Sequence, residues 1–273
     1  MRKIGLATAV AAALGVLAVF AVEGPEDAAV IRGRWDIRAV DHGGLPVLTT
    51  WGEETHGARR LAPGRTDSGL VLDRATVIDL RAGEVHEGRS IWIDGDRIVR
   101  VAAAGEPPPA GIERVDLAGA YVIPGLWDMH VHWYDEAYLP LFIANGVTGV
   151  RQTFGAKVHH EWRRRIASGE LIGPRQVIAS RIVDGPEPVW PGSITAADAE
   201  EGRRAVATAI EEGADFIKVY SLLPREAYLA IAEEANRRAI PFAGHVPGRS
   251  SLLEAAASGQ RSVEHLSQVL WAC

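Results

Sequence analysis

Cysteine is almost missing from this chain, whose 273 residues include a single one, Cys273. One cysteine excludes a disulfide framework and a thiolate metal cluster within the chain. No cysteine lies near residue 21 to carry a lipid. Any metal site must therefore take its ligands from histidine, aspartate, glutamate or lysine.

Basic residues do not outnumber acidic ones in this chain. The chain has 29 Lys and Arg against 35 Asp and Glu, for a net charge of -6, and no basic block stands out. This balance argues against nucleic acid as a partner and favours a small molecule. Because 47% of the residues are hydrophobic, the chain can bury a sizeable core, and we expect one or two globular domains.

Long apolar runs are scarce, and the one that stands out lies at the start. Arg2 and Lys3 precede an uncharged run from Ile4 to Val22, in which Val19-Phe20-Ala21 is a candidate cleavage site. The pattern predicts a signal peptide over residues 1–22, although about 20 apolar residues would also serve as a membrane anchor. We expect an exported protein, periplasmic or secreted, or anchored to the membrane. Residues 23–68 form an N-terminal extension without an assigned function.

Residues 69–120 read as a small β-domain. Two strand-like runs, Ser90 to Asp94 and Arg97 to Val101, flank the pair Asp94-Gly95, and an Asp-Gly pair in this setting is typical of a hairpin. A Pro-rich stretch at residues 107–109 and one more short strand close the region.

From residue 121 to 273, short apolar runs alternate with amphipathic helical stretches, which predicts an α/β fold with a parallel sheet. Thr195-x-x-Asp198 predicts the capping box of a helix that ends near Gly213. The six apolar runs are Tyr121 to Ile123, Gly149 to Gln152, Gln176 to Ala179, Phe216 to Tyr220, Pro241 to His245 and Ser262 to His265.

Four of the nine histidines fall at the ends of apolar runs. His130 and His132 are two residues apart, so on a strand they share one face and offer half of a metal site; two hydrogen-bonded core histidines are the alternative. His245 and His265 each close a predicted parallel strand, where the active sites of such folds assemble. We expect the other five histidines to be solvated. They are His42, His56, His86, His159 and His160.

Lys218 lies inside the apolar run Phe216 to Tyr220. Burial disfavours the charged amine and lowers its pKa, so such a lysine needs a special environment. Three interpretations stay open. The lysine forms an ion pair with a carboxylate, it extends out of the strand end to solvent, or its neutral amine takes up carbon dioxide and becomes an anionic carbamate.

Four motifs occur in the order VIPGLWDMHVH, GADFIKVY, PFAGHVP and SVEHL. Together they resemble the amidohydrolase superfamily, in particular its imidazolonepropionase-like and Xaa-Pro dipeptidase-like branch, from about residue 69 to the end. The resemblance implies a (β/α)8 barrel flanked by a small β-sandwich, with a metal centre at the mouth of the barrel.

The resemblance also implies a set of ligands. His130 and His132 would bind one metal ion, Lys218 as a carbamate would bridge, and His245 and His265 would bind a second. Zinc suits imidazole and carbamate oxygen best, and we expect one or two divalent ions per chain. In this superfamily a metal-bridging hydroxide attacks a carbonyl whose oxygen the metals polarise, and the implied reaction is hydrolysis of an amide or ester bond.

One part of the family pattern has no counterpart in the sequence. The family's last ligand is an aspartate at the end of strand eight, which also moves a proton, so the catalytic residue here is unknown. Asp184 and Asp215 occupy loop-like or pre-strand positions, and Asp128 is interpreted as support for the strand that carries His130.

The region from residue 121 to 273 is also shorter than the about 250 residues of a closed barrel. We therefore expect an incomplete (β/α)8 TIM-like barrel of about six strands with a small N-terminal β-sandwich portion. A barrel that lacks strands exposes sheet edges, so we expect a fragment of a longer reading frame that is poorly stable alone.

Substrate contacts are expected from loops that follow the strands. Arg151 would suit a substrate carboxylate. Tyr220 shares a strand face with Lys218, and Trp190 lies in a Pro- and Gly-rich segment that is typical of a loop over the mouth; ordinary packing is the alternative for these two aromatic residues. The predicted function is metal-dependent hydrolysis of a C–N bond, in an Xaa-Pro dipeptide or a cyclic amide. A related esterase or lactonase is the first alternative, and an inactive truncated barrel or binding protein is the second.

Overall fold

The computed structural model describes residues 69–266 apart from 96, 104, 108 and 109, together with 268–269 and three short strands nearer the N-terminus. These are β1 (Leu17–Val19), β2 (Trp35–Ile37) and β3 (Leu48–Thr50), and β2 pairs with β3 in antiparallel fashion. The other residues of the predicted signal peptide or anchor, and most of the extension, lie outside the described residues. Among the described residues, no helix is both long and apolar enough to cross a bilayer.

The chain divides into two compact units. The first holds the residues up to Trp127 together with Asp135–Gly149 and Arg165–Arg175; the second holds Asp128–Tyr134, Val150–Arg164 and the residues from Gln176 onward. The domain limits given above, at residues 22, 68 and 120, stay predictions.

A six-stranded mixed sheet forms the β-rich part of the first unit. Its further strands are β4 (Leu70–Asp79), β5 (Glu84–Asp94), β6 (Arg97–Ala103), β7 (Glu113–Asp116) and β8 (Tyr121–Pro124). The order is β1-β8-β4-β5-β6, and β7 also pairs with β4. Apolar side chains of β4, β5 and β8 form its core, including Leu72, Ile91 and Val122.

The first sheet bears on two predictions, the Asp-Gly hairpin and the place of the run Tyr121 to Ile123. The Asp-Gly hairpin is confirmed, because β5 and β6 run antiparallel with Asp94 opposite Arg97. The assignment of Tyr121 to Ile123 to the barrel was wrong: these residues lie in β8, which pairs in parallel with Thr76 and Val77 of β4. The sequence of a short apolar run does not indicate which sheet the run will join. Here the buried side chain of Val122 packs into the core of the first sheet.

The second sheet is largely parallel and carries the candidate site. Its strands are β9 (Leu126–Val131), β10 (Val147–Gln152), β11 (Arg175–Asp184), β12 (Ile194–Thr195), β13 (Phe216–Val219) and β14 (Phe242–Gly244). The order is β14-β13-β11-β10-β9, with β12 beside β11, and β11, β13 and β14 run parallel. The run Ser262 to His265 was expected to be a strand; it contributes one parallel bridge, from Val263 to Gly244, before a 3-10 turn (Glu264–Leu266).

Helices alternate with these strands, so the fold is an incomplete (β/α)8 TIM-like barrel, as predicted. The helices are α1 (Leu139–Ala144), after a 3-10 turn (Glu136–Tyr138), α2 (Lys157–Ala167), α3 (Ala199–Glu211), α4 (Arg225–Arg237) and α5 (Leu252–Ala257). Side chains of α3 and α4 such as Val206, Tyr228 and Ile231 are fully buried with Ile217 and Val219 of β13. This packing fixes the strand ends that carry the site.

The predicted capping box of α3 was misplaced by three residues. Asp198 is the N-cap and accepts a hydrogen bond from the backbone N–H of Glu201, while the Glu201 carboxylate accepts one from the N–H of Ala197. The box is therefore a variant, Asp198-x-x-Glu201, in which Glu201 accepts from the residue before the N-cap instead of from the N-cap itself. Thr195 lies earlier, in β12, where its backbone is paired with Asp184 of β11.

Candidate metal centre

All the residues of the candidate site lie in the second unit. His130 is on β9 and His132 follows the end of that strand, and their Nε2 atoms are 3.2 Å apart. The two side chains therefore share one face, as predicted from their spacing. Asp128 supports the strand, because its carboxylate accepts a hydrogen bond of 3.1 Å from the backbone N–H of His130. Two imidazole nitrogens at this distance can share either a hydrogen or a cation.

The histidines that follow the later strands meet this pair. The ring of His265 lies 4.5 Å from that of His130 and 5.3 Å from that of His245, measured between centroids. His245 follows β14 directly, and His265 lies in the 3-10 turn with φ of 59°. A positive φ is uncommon for a residue with a side chain and is tolerated where the surroundings enforce it. The fold thus brings the rings of these four histidines into contact with one another.

Lys218 lies on β13, next to β14, and is 1% exposed. Its full burial excludes the interpretation that the amine extends to solvent. Burial lowers the pKa of Lys218 to about 8; Glu264 opposes this change, and Arg151 adds to it. Electrostatic interactions also connect its amine with His132 and His245. A substantial fraction of the amine is therefore neutral just above neutral pH, as attack on carbon dioxide requires.

Two of the histidines are held in the neutral form. Burial, and then the positive charges of nearby groups, lower the pKa of both His132 and His245 to about 4. A neutral imidazole carries a free lone pair, which is the form that binds a metal ion.

His245 gives the sharpest test of whether these residues fit a metal. Its Nδ1 lies 2.7 Å from the hydroxyl of Ser221, while its buried Nε2 has no hydrogen-bond partner among the described residues. A buried polar atom without a partner costs about 1–3 kcal/mol, and a cation at Nε2 would remove that cost. The donors present, imidazole nitrogens and a lysine able to become an anionic oxygen donor, suit zinc.

Three or more His, Cys, Asp or Glu side chains do not gather into a ready-made metal cage anywhere in the described part of the chain. The four histidine rings contact one another in pairs, and the fifth predicted ligand is a lysine. The assignment of His130, His132, Lys218, His245 and His265 as metal ligands thus stays a prediction that the fit of His245 supports.

Sequence reasoning missed Glu264, the carboxylate of the site. It is 6% exposed, and its Oε2 lies 2.5 Å from Nδ1 of His130. Its Oε1 accepts hydrogen bonds from the hydroxyl of Ser262, at 2.7 Å, and from the guanidinium of Arg151. Burial alone would raise the pKa of Glu264, but hydrogen bonds from His130 and Ser262 and the charges of Arg151 and Lys218 lower it to about 2. The signal that could have found it is its place directly before His265.

The guanidinium of Arg151 has three partners. It donates to the carbonyl of Met129 at 2.8 Å, to the hydroxyl of Ser262 at 3.1 Å, and to Glu264. These contacts connect β10 with β9 and with the segment before His265. Because Glu264 already neutralises the charge, this geometry favours a structural role over the predicted contact with a substrate carboxylate.

An aromatic surface borders the histidines. The indole N–H of Trp190 donates to the hydroxyl of Tyr220 at 2.9 Å, and the ring of Tyr220 stacks on that of His245 with 4.1 Å between centroids. The indole of Trp190 is half exposed. Of the three residues predicted to contact the substrate, Tyr220 therefore lies against His245, and Trp190 is joined to it through the hydroxyl of Tyr220.

Asp184 holds the two loops that carry these aromatics, and its predicted loop-like position was wrong. It is the last residue of β11 and is fully buried. Its carboxylate accepts hydrogen bonds from the backbone N–H of Leu222, at 2.7 Å, and of Val189, at 3.1 Å. One aspartate thus connects the loop after β11 with the loop after β13.

His159 also corrects an expectation, because it is buried rather than solvated. Its Nε2 lies 3.0 Å from the carbonyl of Trp133 and 2.8 Å from the amide of Gln152, and burial lowers its pKa. These partners come from segments distant in sequence, so the charged appearance of the helix gave no sign of them. His160 and His86 are half-buried, and His42 and His56 lie outside the described residues.

Two of the curated proteins that this chain is similar to are adenine deaminases. No protein-family model matches the chain. The chain is 29% identical over 221 residues to adenine deaminase 2 of Bradyrhizobium sp. (strain ORS 278), an alignment that covers 73% of this chain and 36% of the relative. It is 28% identical over 217 residues to the adenine deaminase of Chelativorans sp. (strain BNC1). The chain thus spans about a third of the length of these curated relatives.

Solved structures agree on the fold. Bottromycin amidohydrolase matches with a TM-score of 0.62 and 26% identity over 73% of this chain and 43% of that one. A Xaa-Pro dipeptidase crystallised with methionine in its active site matches with a TM-score of 0.59, over 72% of this chain and 61% of that one. At 23% identity, the second likeness bears on the fold alone.

Proposed function

Because this chain belongs to the amidohydrolase superfamily, we propose that it supplies the metal-binding part of a hydrolase that cleaves C–N bonds. The rings of four histidines contact one another, and buried Lys218 interacts electrostatically with two of them, His132 and His245. Nε2 of His245 is buried without a partner among the described residues. That unpartnered nitrogen is the observation that carries the proposal. The proposed ligands are His130, His132, Lys218, His245 and His265.

A divalent cation, zinc by the chemistry of the donors, would supply Lewis-acid polarisation of a substrate oxygen and lower the pKa of water. The chain's own residues prepare the site for it. Burial keeps His132 and His245 neutral, and Ser221 orients the ring of His245 through Nδ1. The neutral fraction of the Lys218 amine would form a C–N bond to carbon dioxide and release a proton to solvent, which gives a carbamate, an anionic oxygen donor.

The substrate side of the proposal rests on the aromatic surface. Tyr220 stacks on His245 and Trp190 is hydrogen-bonded to Tyr220, so a substrate with a ring at the scissile bond would be held by apolar and stacking contacts. Xaa-Pro dipeptides and cyclic amides have this form. Adenine, on which the curated relatives act by name, also carries a C–N bond beside a ring and is the second candidate.

The test is hydrolysis by the complete product of the reading frame, reconstituted with zinc. We expect zinc-dependent release of product from at least one member of a panel of Xaa-Pro dipeptides, cyclic amides and adenine. Lactones and esters belong in the same panel as the alternative bond type. Hydrolysis confined to the lactones would replace the C–N proposal, and a zinc-loaded protein that turns over none of these compounds would favour the binding-protein alternative.

A further inference from the structure

Glu264 is connected to both ends of the second sheet. Through Val263 its segment bridges to Gly244 of β14, at one end of the strand order, and through its carboxylate it reaches His130 of β9, at the other end. His265, the next residue, thereby comes to 4.5 Å from His130, ring to ring. The carboxylate therefore brings together two proposed ligands that the order of strands keeps apart.

The partners of Glu264 fix its charge. A hydroxyl from Ser262 and a guanidinium from Arg151 both donate to Oε1, and a guanidinium beside a buried carboxylate stabilises the ionised form. An ionised carboxylate only accepts hydrogen bonds. The hydrogen between Oε2 and Nδ1 of His130 therefore belongs to the histidine.

That hydrogen decides which nitrogen of His130 is available. With Nδ1 carrying the hydrogen, the lone pair of a neutral ring is on Nε2, which faces Nε2 of His132 at 3.2 Å. The carboxylate thus selects the ring form that offers Nε2 to a cation, since the tautomer of a ligating histidine is set by the hydrogen bond of its other nitrogen.

We propose that Glu264 is the positioning residue of the metal centre, fixing His130 as its Nδ1–H tautomer and holding His265 beside it, with Arg151 and Ser262 as its supports. The inference rests on the proposed function in so far as the centre binds a metal. It assigns a role to a residue outside the predicted ligand set. Carboxylates that orient a ligating histidine affect metal affinity by about 10- to 100-fold, so the role is measurable.

The first experiment needs no metal. Histidine ring nitrogens of the complete, metal-free protein are observed by long-range proton–nitrogen NMR, and the His130 signals are assigned by their loss in His130→Ala. We expect His130 as the Nδ1–H tautomer. His130 in the Nε2–H form would overturn the inference, whether or not any Glu264 variant folds.

The second experiment measures zinc affinity by competition with a chromophoric chelator, with folding checked by circular dichroism. Glu264→Gln removes the charge and one acceptor at nearly constant size, and we expect zinc to bind about 10- to 100-fold more weakly. The matched control is Glu234→Gln, which removes another buried carboxylate with guanidinium partners, Arg237 and Arg238 of the α4 region. Its zinc affinity should equal that of the wild type.

The outcomes separate this inference from the proposed function. A wild type that binds no zinc defeats the proposed function, while the tautomer of His130 still reports on Glu264. A wild type that binds zinc no more tightly than a folded Glu264→Gln variant defeats the positioning role alone. If Glu264→Gln does not fold, Ser262→Ala removes one support and should weaken zinc binding by a smaller factor; unchanged affinity there would also count against the inference.

Discussion

His130 and Glu264 are 134 residues apart in sequence, and their side chains meet with 2.5 Å between Nδ1 and Oε2. The contact joins β9 to the segment that follows β14. Around it lie the three other histidines of the site and Lys218, which is buried as deeply as the apolar core.

Replacement of Lys218 by methionine should change how stability depends on pH. Between about pH 8 and 10.5 the unfolded lysine binds a proton that the folded one has released, because the folded pKa is lowered to about 8. Stability therefore rises with pH across this window, by up to about 3 kcal/mol from this group. Urea unfolding of metal-free chain in carbonate-free buffer should show the rise in wild type and a smaller one in Lys218→Met. Parallel curves for the two proteins would contradict the burial of a titrating amine.

Removal of the Asp184 carboxylate should loosen two loops together. Asp184→Ala leaves the N–H groups of Val189 and Leu222 without their acceptor, and a hydrogen bond to a charged group contributes about 1.5–3 kcal/mol. Hydrogen exchange should become faster at both amides. If only one of the two responds, the carboxylate does not connect the loops in solution.

The corrected capping box of α3 gives a matched pair of variants. Asp198→Ala removes the hydrogen bond to the N–H of Glu201 and should lower the free energy of unfolding by about 1 kcal/mol. Thr195→Ala, at the position first assigned to the cap, should change it by less than about 0.5 kcal/mol. The reverse order in urea unfolding would restore the original assignment.

Much of the site could be predicted because its residues follow local rules. The spacing of His130 and His132 places them on one strand face, and His245 closes an apolar run that becomes β14 and its end. The Asp-Gly pair predicted the hairpin of β5 and β6 for the same reason, since its conformational preference is local.

What escaped prediction depends on contacts between distant segments. In the sequence Glu264 is only a polar residue in a short run, and its role becomes visible when its contact with His130 of β9 is known. His159 lies in a charged segment that predicts a solvated side chain, but Trp133 and Gln152 contact its ring in the fold. The run Tyr121 to Ile123 fits either sheet by pattern, and pairing with β4 decides between them. Periodicity identifies a face of an element but not the partner of that face.

The binding of zinc tests the central claim most directly. The purified chain, stripped of metal, incubated with zinc and desalted, would be analysed by inductively coupled plasma mass spectrometry beside a His130→Ala/His245→Ala double variant. His86→Ala, a histidine on β5 of the other sheet, serves as the control. The account predicts one or two zinc ions per chain in wild type and control and a loss of most of that zinc in the double variant. A wild type that retains no zinc, or equal zinc in all three proteins, would contradict it.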